Sequence, residues 1–73
     1  MRTRLRQVRE AKGLSVSEAA EIFRISPSFY YKIENGARNP GIELAKKIAD
    51  FYEKGIDELF FNIKMDETSS QSA

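Results

Sequence analysis

The sequence predicts an all-α domain of five short helices. Two observations carry this expectation: apolar residues recur at helical spacing in five separate segments, and capping or breaking residues stand between those segments. The five segments account for the chain without any strand, and no internal repeat is visible.

Helix one is expected over residues 3 to 12, which contain no breaker and place Leu5, Val8 and Ala11 at three-residue spacing. Gly13 then supplies the left-handed backbone that commonly ends a helix. Ser15-Val16-Ser17-Glu18 has the pattern of a capping box, in which the Ser15 hydroxyl accepts from the Glu18 N–H while the Glu18 carboxylate reaches back. Helix two therefore starts at Ser15 and turns Ala19, Ala20 and Phe23 inward. It ends before Ser26-Pro27, because proline disfavours helical geometry in the preceding residue but suits the first position of a new helix. Ser26 caps helix three, and Ile25 and Tyr30 have the spacing of a hydrophobic staple. Asn35-Gly36 closes that helix after Glu34, and residues 37 to 41 form a loop. Leu44, Ala45, Ile48, Ala49 and Tyr52 make the apolar stripe of helix four. After a break near Gly55, Ile56, Leu59, Phe60 and Ile63 fit one side of a short helix five, with Phe61 and Met65 on the other side, outside a single-domain core. The folded unit is expected to span residues 1 to 65, and the polar, Ser-rich residues 66 to 73 to form a disordered tail.

A chain of 73 residues holds one small domain, and a domain of this size buries only about 60% of the surface its unfolded chain exposes. No separate small-molecule ligand domain is expected. Hydrophobic residues are 41% and charged residues 32% of the chain, a balance that favours a folded helical domain over a disordered one. Cysteine and histidine are both absent, which removes disulfides, thiolate and imidazole metal sites, cysteine nucleophiles and histidine bases. No cofactor is expected. With no signal-peptide pattern and no apolar run near the roughly 18 residues of a membrane span, the expectation is a soluble, cytoplasmic protein with no membrane partner.

The net charge of +1 conceals an uneven distribution. Residues 1 to 12 carry +4, residues 13 to 38 are balanced, and residues 39 to 73 carry −3. Such asymmetry fits one basic face turned towards a polyanion, and it equally fits ordinary solvated helix faces.

The linker between helices two and three is only about three residues long, the spacing of a helix-turn-helix. The wording around it is more specific. Leu5-Arg6-Gln7-Val8-Arg9-Glu10-Ala11-Lys12-Gly13-Leu14-Ser15, then Ile25-Ser26, Lys32-Ile33-Glu34-Asn35-Gly36, Asn39-Pro40 and Ile56-Asp57-Glu58-Leu59-Phe60 closely resemble the lambda-repressor-like and Cro-like (XRE-type) helix-turn-helix family of transcriptional regulators. The resemblance covers residues 3 to 61. It implies a five-helix DNA-binding domain in which helix two crosses the DNA backbone and helix three, residues 26 to 34, enters the major groove.

Carried over by position, the resemblance assigns the groove face to Pro27, Ser28, Tyr31 and Lys32, whose i, i+1, i+4, i+5 spacing also puts them on one helix face. Tyr30 and Ile33 then face the core. Lys32 is the best base reader, donating to guanine O6 or N7, with simple phosphate binding as its alternative. Ser28 reads several base edges weakly. Tyr31 either packs on a thymine methyl, donates to a phosphate, or serves an interface between protein chains. Backbone contacts fall to Ser15, Ser26, Asn35 and Arg38, with Arg38 alternatively entering a narrow minor groove or remaining solvated. Arg9 and Glu34 occupy the positions of a structural salt bridge, which leaves Arg9 near enough to touch phosphate as well. Phe61 and Met65 are the expected dimer seam.

Several residues depart from the family pattern. Val16 stands where a phosphate-clamping glutamine is usual, and Pro27 where a polar reader is common. Arg24 replaces the usual turn glycine, at an αL strain of about 1–2 kcal/mol, and offers the DNA a cation instead. Ala19 replaces a leucine and Tyr30 a smaller aliphatic, an exchange of volume that requires a partner for the Tyr30 hydroxyl. Lys54 and Gly55 leave the start of helix five without its usual cap.

The function implied is a sequence-specific transcriptional regulator, a repressor that binds a near-palindromic operator in double-stranded DNA as a homodimer. The alternative is a protein-interaction module, antitoxin-like or adaptor, that retains the fold. An enzyme is not expected, because no nucleophile–base pair, metal cluster or phosphate-cradling glycine loop is present.

Overall fold

The computed structural model describes residues 2 to 61, and all statements below concern those residues. Ile63, Met65 and the expected tail lie outside them. The architecture is all-helical, with no strand among the described residues. The elements are α1 (Thr3–Ala11), α2 (Val16–Phe23), α3 (Pro27–Glu34), α4 (Ile42–Tyr52) and α5 (Asp57–Phe61). The first four are α-helices, whereas α5 is a single wider turn of π type that buries the adjacent Leu59 and Phe60 and leaves Phe61 outside.

The starts of α2 and α3 follow directly from their capping residues. Ser15 Oγ accepts from the Glu18 N–H at 3.0 Å and the Ser15 N–H donates to Glu18 Oε1 at 2.8 Å, a complete capping box. Ser26 Oγ accepts from the Phe29 N–H at 3.0 Å, with Pro27 at the first helical position.

Three helices end on one design. The N–H of Leu14, Ile25 and Lys54 each donates to the carbonyl five residues back, and the residue before each stands in the left-handed region. These are Schellman caps, in which a left-handed residue lets the chain double back onto the last carbonyls. Only α1 uses glycine for the purpose, Gly13 at φ 72°; Arg24 at φ 60° and Glu53 at φ 58° adopt the same conformation with full side chains. The strain expected at Arg24 is therefore present, and a second such site follows α4.

The inward faces meet in a core whose fully buried members include Leu5, Tyr30, Ile33, Ile48 and Leu59. Ala19 and Ala20 bring α2 close to its neighbours, and Phe23 sits among the rings of Tyr30, Phe51 and Tyr52 at centroid distances of 5.4–6.1 Å. Ala19 and Tyr30 are both fully buried, and the Tyr30 hydroxyl finds its partner in the Tyr52 hydroxyl at 3.0 Å. Burial raises the pKa of both phenols, and their mutual hydrogen bond raises that of Tyr30 further, so both stay protonated across the physiological range.

One inward assignment changes. Ala11 is exposed, because α1 turns Leu5, Val8 and Arg9 inward: Arg9 takes the place beside Val8 to meet Glu34, and Ala11 rotates out of the core.

Two stability changes follow from this packing. Tyr30→Phe and Tyr52→Phe should each destabilise by about 1–3 kcal/mol in urea unfolding, because each leaves a buried hydroxyl without its partner. The double variant should lose clearly less than the two single losses combined, and a strictly additive cycle would remove the hydroxyl pair as a stabilising contact. Arg24→Gly should raise stability by about 0.5–1 kcal/mol, the αL strain relieved less the extra freedom of glycine in the unfolded chain. A lower melting temperature for that variant would mean that the Arg24 side chain contributes more than its backbone strain costs.

Candidate nucleic-acid interface

The rotation of α3 about its axis determines what it presents. Its inward side carries Tyr30, Ile33 and Glu34, all buried. The remaining face carries Pro27, Ser28, Tyr31 and Lys32, all exposed, with Tyr31 at 52% relative exposure. The four expected groove-facing residues therefore share one solvent-facing side of a capped helix.

That rotation is held by a buried ion pair. Arg9 Nε donates to Glu34 Oε2 at 2.8 Å and Arg9 Nη2 to Glu34 Oε1 at 2.9 Å, the parallel fork of a bidentate pair. Arg9 Nη1 donates to the Leu14 carbonyl at 2.8 Å, so the same guanidinium ties α1 to both the start of the helix-turn-helix and its end. The Glu34 hydrogen bond raises the Arg9 pKa despite opposing desolvation, so the guanidinium stays charged. The salt bridge expected between these residues is present. The phosphate contact expected of Arg9 has no such support, since its guanidinium turns inward and the side chain is only 10% exposed.

Around α3 lie the groups suited to a backbone. Ser15 and Ser26 are exposed at the starts of α2 and α3; each hydroxyl oxygen already accepts a capping bond, which leaves its O–H free to donate outward. Arg24 is exposed in the turn between them. Beyond α3, Gly36 adopts φ 87°, and half-buried Asn35 uses its Oδ1 to accept from the Ala37 N–H at 2.9 Å. Asn35 thus shapes the loop that carries Arg38, which is exposed, while the Arg38 N–H is held by the Lys32 carbonyl at 3.1 Å.

The basic first segment is largely consumed inside the fold. Arg4 pairs with Glu58 of α5 at 2.7 Å, Arg6 with Glu10 at 3.1 Å and Arg9 with Glu34. Glu58 and Glu34 thus offset two of the four net positive charges of residues 1 to 12, and Lys12 stays exposed. Among the described residues, Arg24, Lys32 and Arg38 have no acidic partner and stand on or beside the α3 surface.

Val16 is half-buried and lines a shallow depression of about 290 Å³ with Tyr31, Arg6 and Glu10. The site where a glutamine was missed thus meets the exposed tyrosine of α3. Farther away, Phe61 and Ile42 project from the rim of an apolar depression of about 430 Å³ whose walls include Pro40, Ala45, Ile56 and Phe60. Phe61 is 60% and Ile42 70% exposed. Ile42 was not singled out from the sequence, because its position at the first turn of α4 falls outside that helix's stripe. Met65, expected beside Phe61, lies outside the described residues.

Arg2 also escaped the sequence reading. Its backbone N–H donates to the Glu34 carbonyl at 2.8 Å, and its guanidinium donates to the carbonyls of Ile33 and Arg38 and to Asn39 Oδ1. No local pattern announces such a role, since all of its partners lie more than thirty residues away.

No helix among the described residues is long and apolar enough to cross a membrane. A helix-turn-helix family model matches residues 5–59, which run from within α1 to the middle of α5. AnsR, an HTH-type transcriptional regulator of Bacillus subtilis, is 32% identical over 69 residues, covering 94% of this chain and 60% of its own length. The uncharacterized HTH-type transcriptional regulator YqaF of Bacillus subtilis is 36% identical over 73 residues, covering 99% of this chain and 93% of its own. A Methanocaldococcus jannaschii protein whose name includes the words HTH-type transcriptional regulatory protein is 42% identical over 57 residues, 73% of this chain and 18% of its own. The chain thus spans 60% of AnsR and under a fifth of the archaeal protein. No solved structure gives a significant match. With α2 and α3 joined by the three-residue turn and the family pattern running from α1 into α5, this chain belongs to the XRE-type, lambda-repressor-like helix-turn-helix family of transcriptional regulators.

Proposed function

We propose that this protein is a sequence-specific repressor that binds a near-palindromic operator as a homodimer, with α3 and its cap, residues 26 to 34, in the major groove. The observation that carries the reading is the α3 face, where Pro27, Ser28, Tyr31 and Lys32 are all exposed beside two capped helix starts. A helix presented in this way fits the groove end-on or along its length, with N-terminal side chains nearest the bases. Lys32 donates to guanine, Ser28 adds a weaker contact, and Tyr31 and Pro27 offer apolar surface to thymine methyl groups. Ser15, Ser26 and Asn35 hold the sugar–phosphate backbone, and Arg24 and Arg38 supply the cations that make binding salt-dependent. Arg9 remains with the scaffold.

The dimer seam is assigned to the surface around Phe61. Phe61 and Ile42 expose two large apolar side chains on one depression, which suits a self-complementary contact between two copies. A two-fold axis there would repeat the half-site about one helical turn along the duplex.

One feature favours a second reading, a protein-interaction module. Val16 and Pro27 place apolar side chains where polar readers are usual, and Val16 and Tyr31 line one shallow depression beside α3. Stable one-to-one binding to a protein partner, with no retardation of duplex DNA at low salt, would establish that reading in place of the first.

Selection of bound sequences from a random duplex pool distinguishes them. Enrichment of a two-fold-related motif is expected, and the absence of any enriched motif would overturn sequence-specific binding. On the enriched site Lys32→Ala should cost about 1–3 kcal/mol and relax preference at one base pair, whereas Arg38→Ala should weaken all sequences alike and reduce the salt slope by about one. Equal losses for Lys32→Ala on every sequence would reduce Lys32 to a phosphate contact. Phe61→Ser should shift sedimentation at micromolar concentration from dimer to monomer, and an unchanged mass would move the seam elsewhere.

A further inference from the structure

The side chain of Arg2 reaches three parts of the fold at once. Its guanidinium donates to the last turn of α3 through the Ile33 carbonyl, and to the following loop through the Arg38 carbonyl at 3.2 Å and Asn39 Oδ1. It also lies over the Phe60 ring of α5, 5.6 Å from the centroid. Its Nε is buried without a partner, and burial lowers its pKa. A guanidinium placed in this way uses both of its Nη groups to hold the protein together. Gripping the Arg38 carbonyl fixes the peptide plane that follows Arg38, while the Lys32 carbonyl fixes the one before it. Two held planes determine the direction in which the Arg38 Cα–Cβ bond leaves the backbone.

We infer that Arg2 is a positioning residue for the DNA-facing loop: it clamps residues 38 and 39 against α3 and α5 and so aims the Arg38 side chain at the DNA backbone. The inference rests on the reading of Arg38 as a backbone contact. Lysine cannot replace Arg2 fully, because one ammonium has no planar fork to span the Arg38 carbonyl and Asn39 together.

The test is a double-mutant cycle in DNA affinity between Arg2→Ala and Arg38→Ala, on one fixed duplex of arbitrary sequence across a range of salt concentrations, with folding of each variant followed by circular dichroism. Each single variant should lose roughly three- to tenfold in affinity, and the double variant should bind no more weakly than Arg38→Ala alone. The salt slope should fall by about one in Arg38→Ala and stay there in the double variant. Additive losses, or a slope reduced by about two, would mean that Arg2 meets phosphate itself, and would overturn the inference while leaving Arg38 a contact. An Arg38→Ala variant with unchanged affinity would overturn the contact role of Arg38 and, with it, the aim that Arg2 gives it. If Arg2→Ala fails to fold, Asn39→Ala removes one of the two bonds by which Arg2 holds the loop and should show a smaller loss that is likewise non-additive with Arg38→Ala. Additivity there overturns the inference as well.

Discussion

Glu34 is the point through which α3 is held. It is 3% exposed at the last residue of α3, its carboxylate is gripped by the fork of Arg9, and its backbone carbonyl accepts from the Arg2 N–H. A pair this buried adds little net stability, because removing two charges from water offsets most of their attraction. Breaking it from one side is another matter, since the remaining charge would sit in the core at a cost of about 3–5 kcal/mol. Its contribution is therefore orientation. With Glu34 pinned to α1, α3 cannot roll about its axis, and Tyr30 and Ile33 stay inside while Tyr31 and Lys32 stay out. Two packed apolar residues alone would tolerate more rotation, because hydrophobic contact is not directional.

The same pair explains why chain-level charge and surface charge diverge. Reading along the sequence, the first twelve residues form a basic block. In the fold each of its four arginines is drawn to an oxygen of another segment or of its own helix, with Glu10, Glu34 and Glu58 as counter-charges. What the α3 surface itself offers a polyanion is small and local, Arg24, Lys32 and Arg38, while Lys12, Lys46, Lys47 and Lys54 are exposed outside the helix-turn-helix. A protein with few cations at its interface depends on how accurately each is aimed, more than one with a broad basic stripe does. On the proposed reading, the Arg2 bonds to the Arg38 loop would then matter more than a single side chain would indicate.

Much of this was legible from local chemistry. Capping rules placed the starts of α2 and α3 because Ser15, Glu18, Ser26 and Pro27 act within one turn of themselves, and the structure repeats those bonds as expected. The need of Tyr30 for a hydroxyl partner was also legible, though not that Tyr52 would supply it. The outward set on α3 came from the family resemblance, and the helical period agreed in placing it on one face. Two things were not legible, for one physical reason. Ala11 was assigned inward because apolar spacing cannot anticipate that a charged neighbour, Arg9, will be buried by a partner on another helix. Arg2 was overlooked because its oxygens come from residues 33, 38 and 39, which only the fold brings together. Short-range signals locate helices; long-range polar contacts decide how they are turned.

The left-handed residues sharpen how function is to be read from strain. Arg24 alone would invite the argument that a non-glycine in αL, at about 1–2 kcal/mol, is retained because its cation serves the DNA. Glu53 carries the same cap geometry at the end of α4 with the opposite charge and with no place on the α3 surface. Strain of this size is therefore tolerated at a position with no polyanion to meet, and the conformation cannot itself be the mark of function. What separates the two sites is chemistry and location: one offers a cation in the turn between the two helices of the motif, the other an anion elsewhere. A small domain has little stability to spare, so two such caps narrow its margin together. The case for Arg24 as a contact accordingly rests on where its charge stands and not on the strained backbone that carries it.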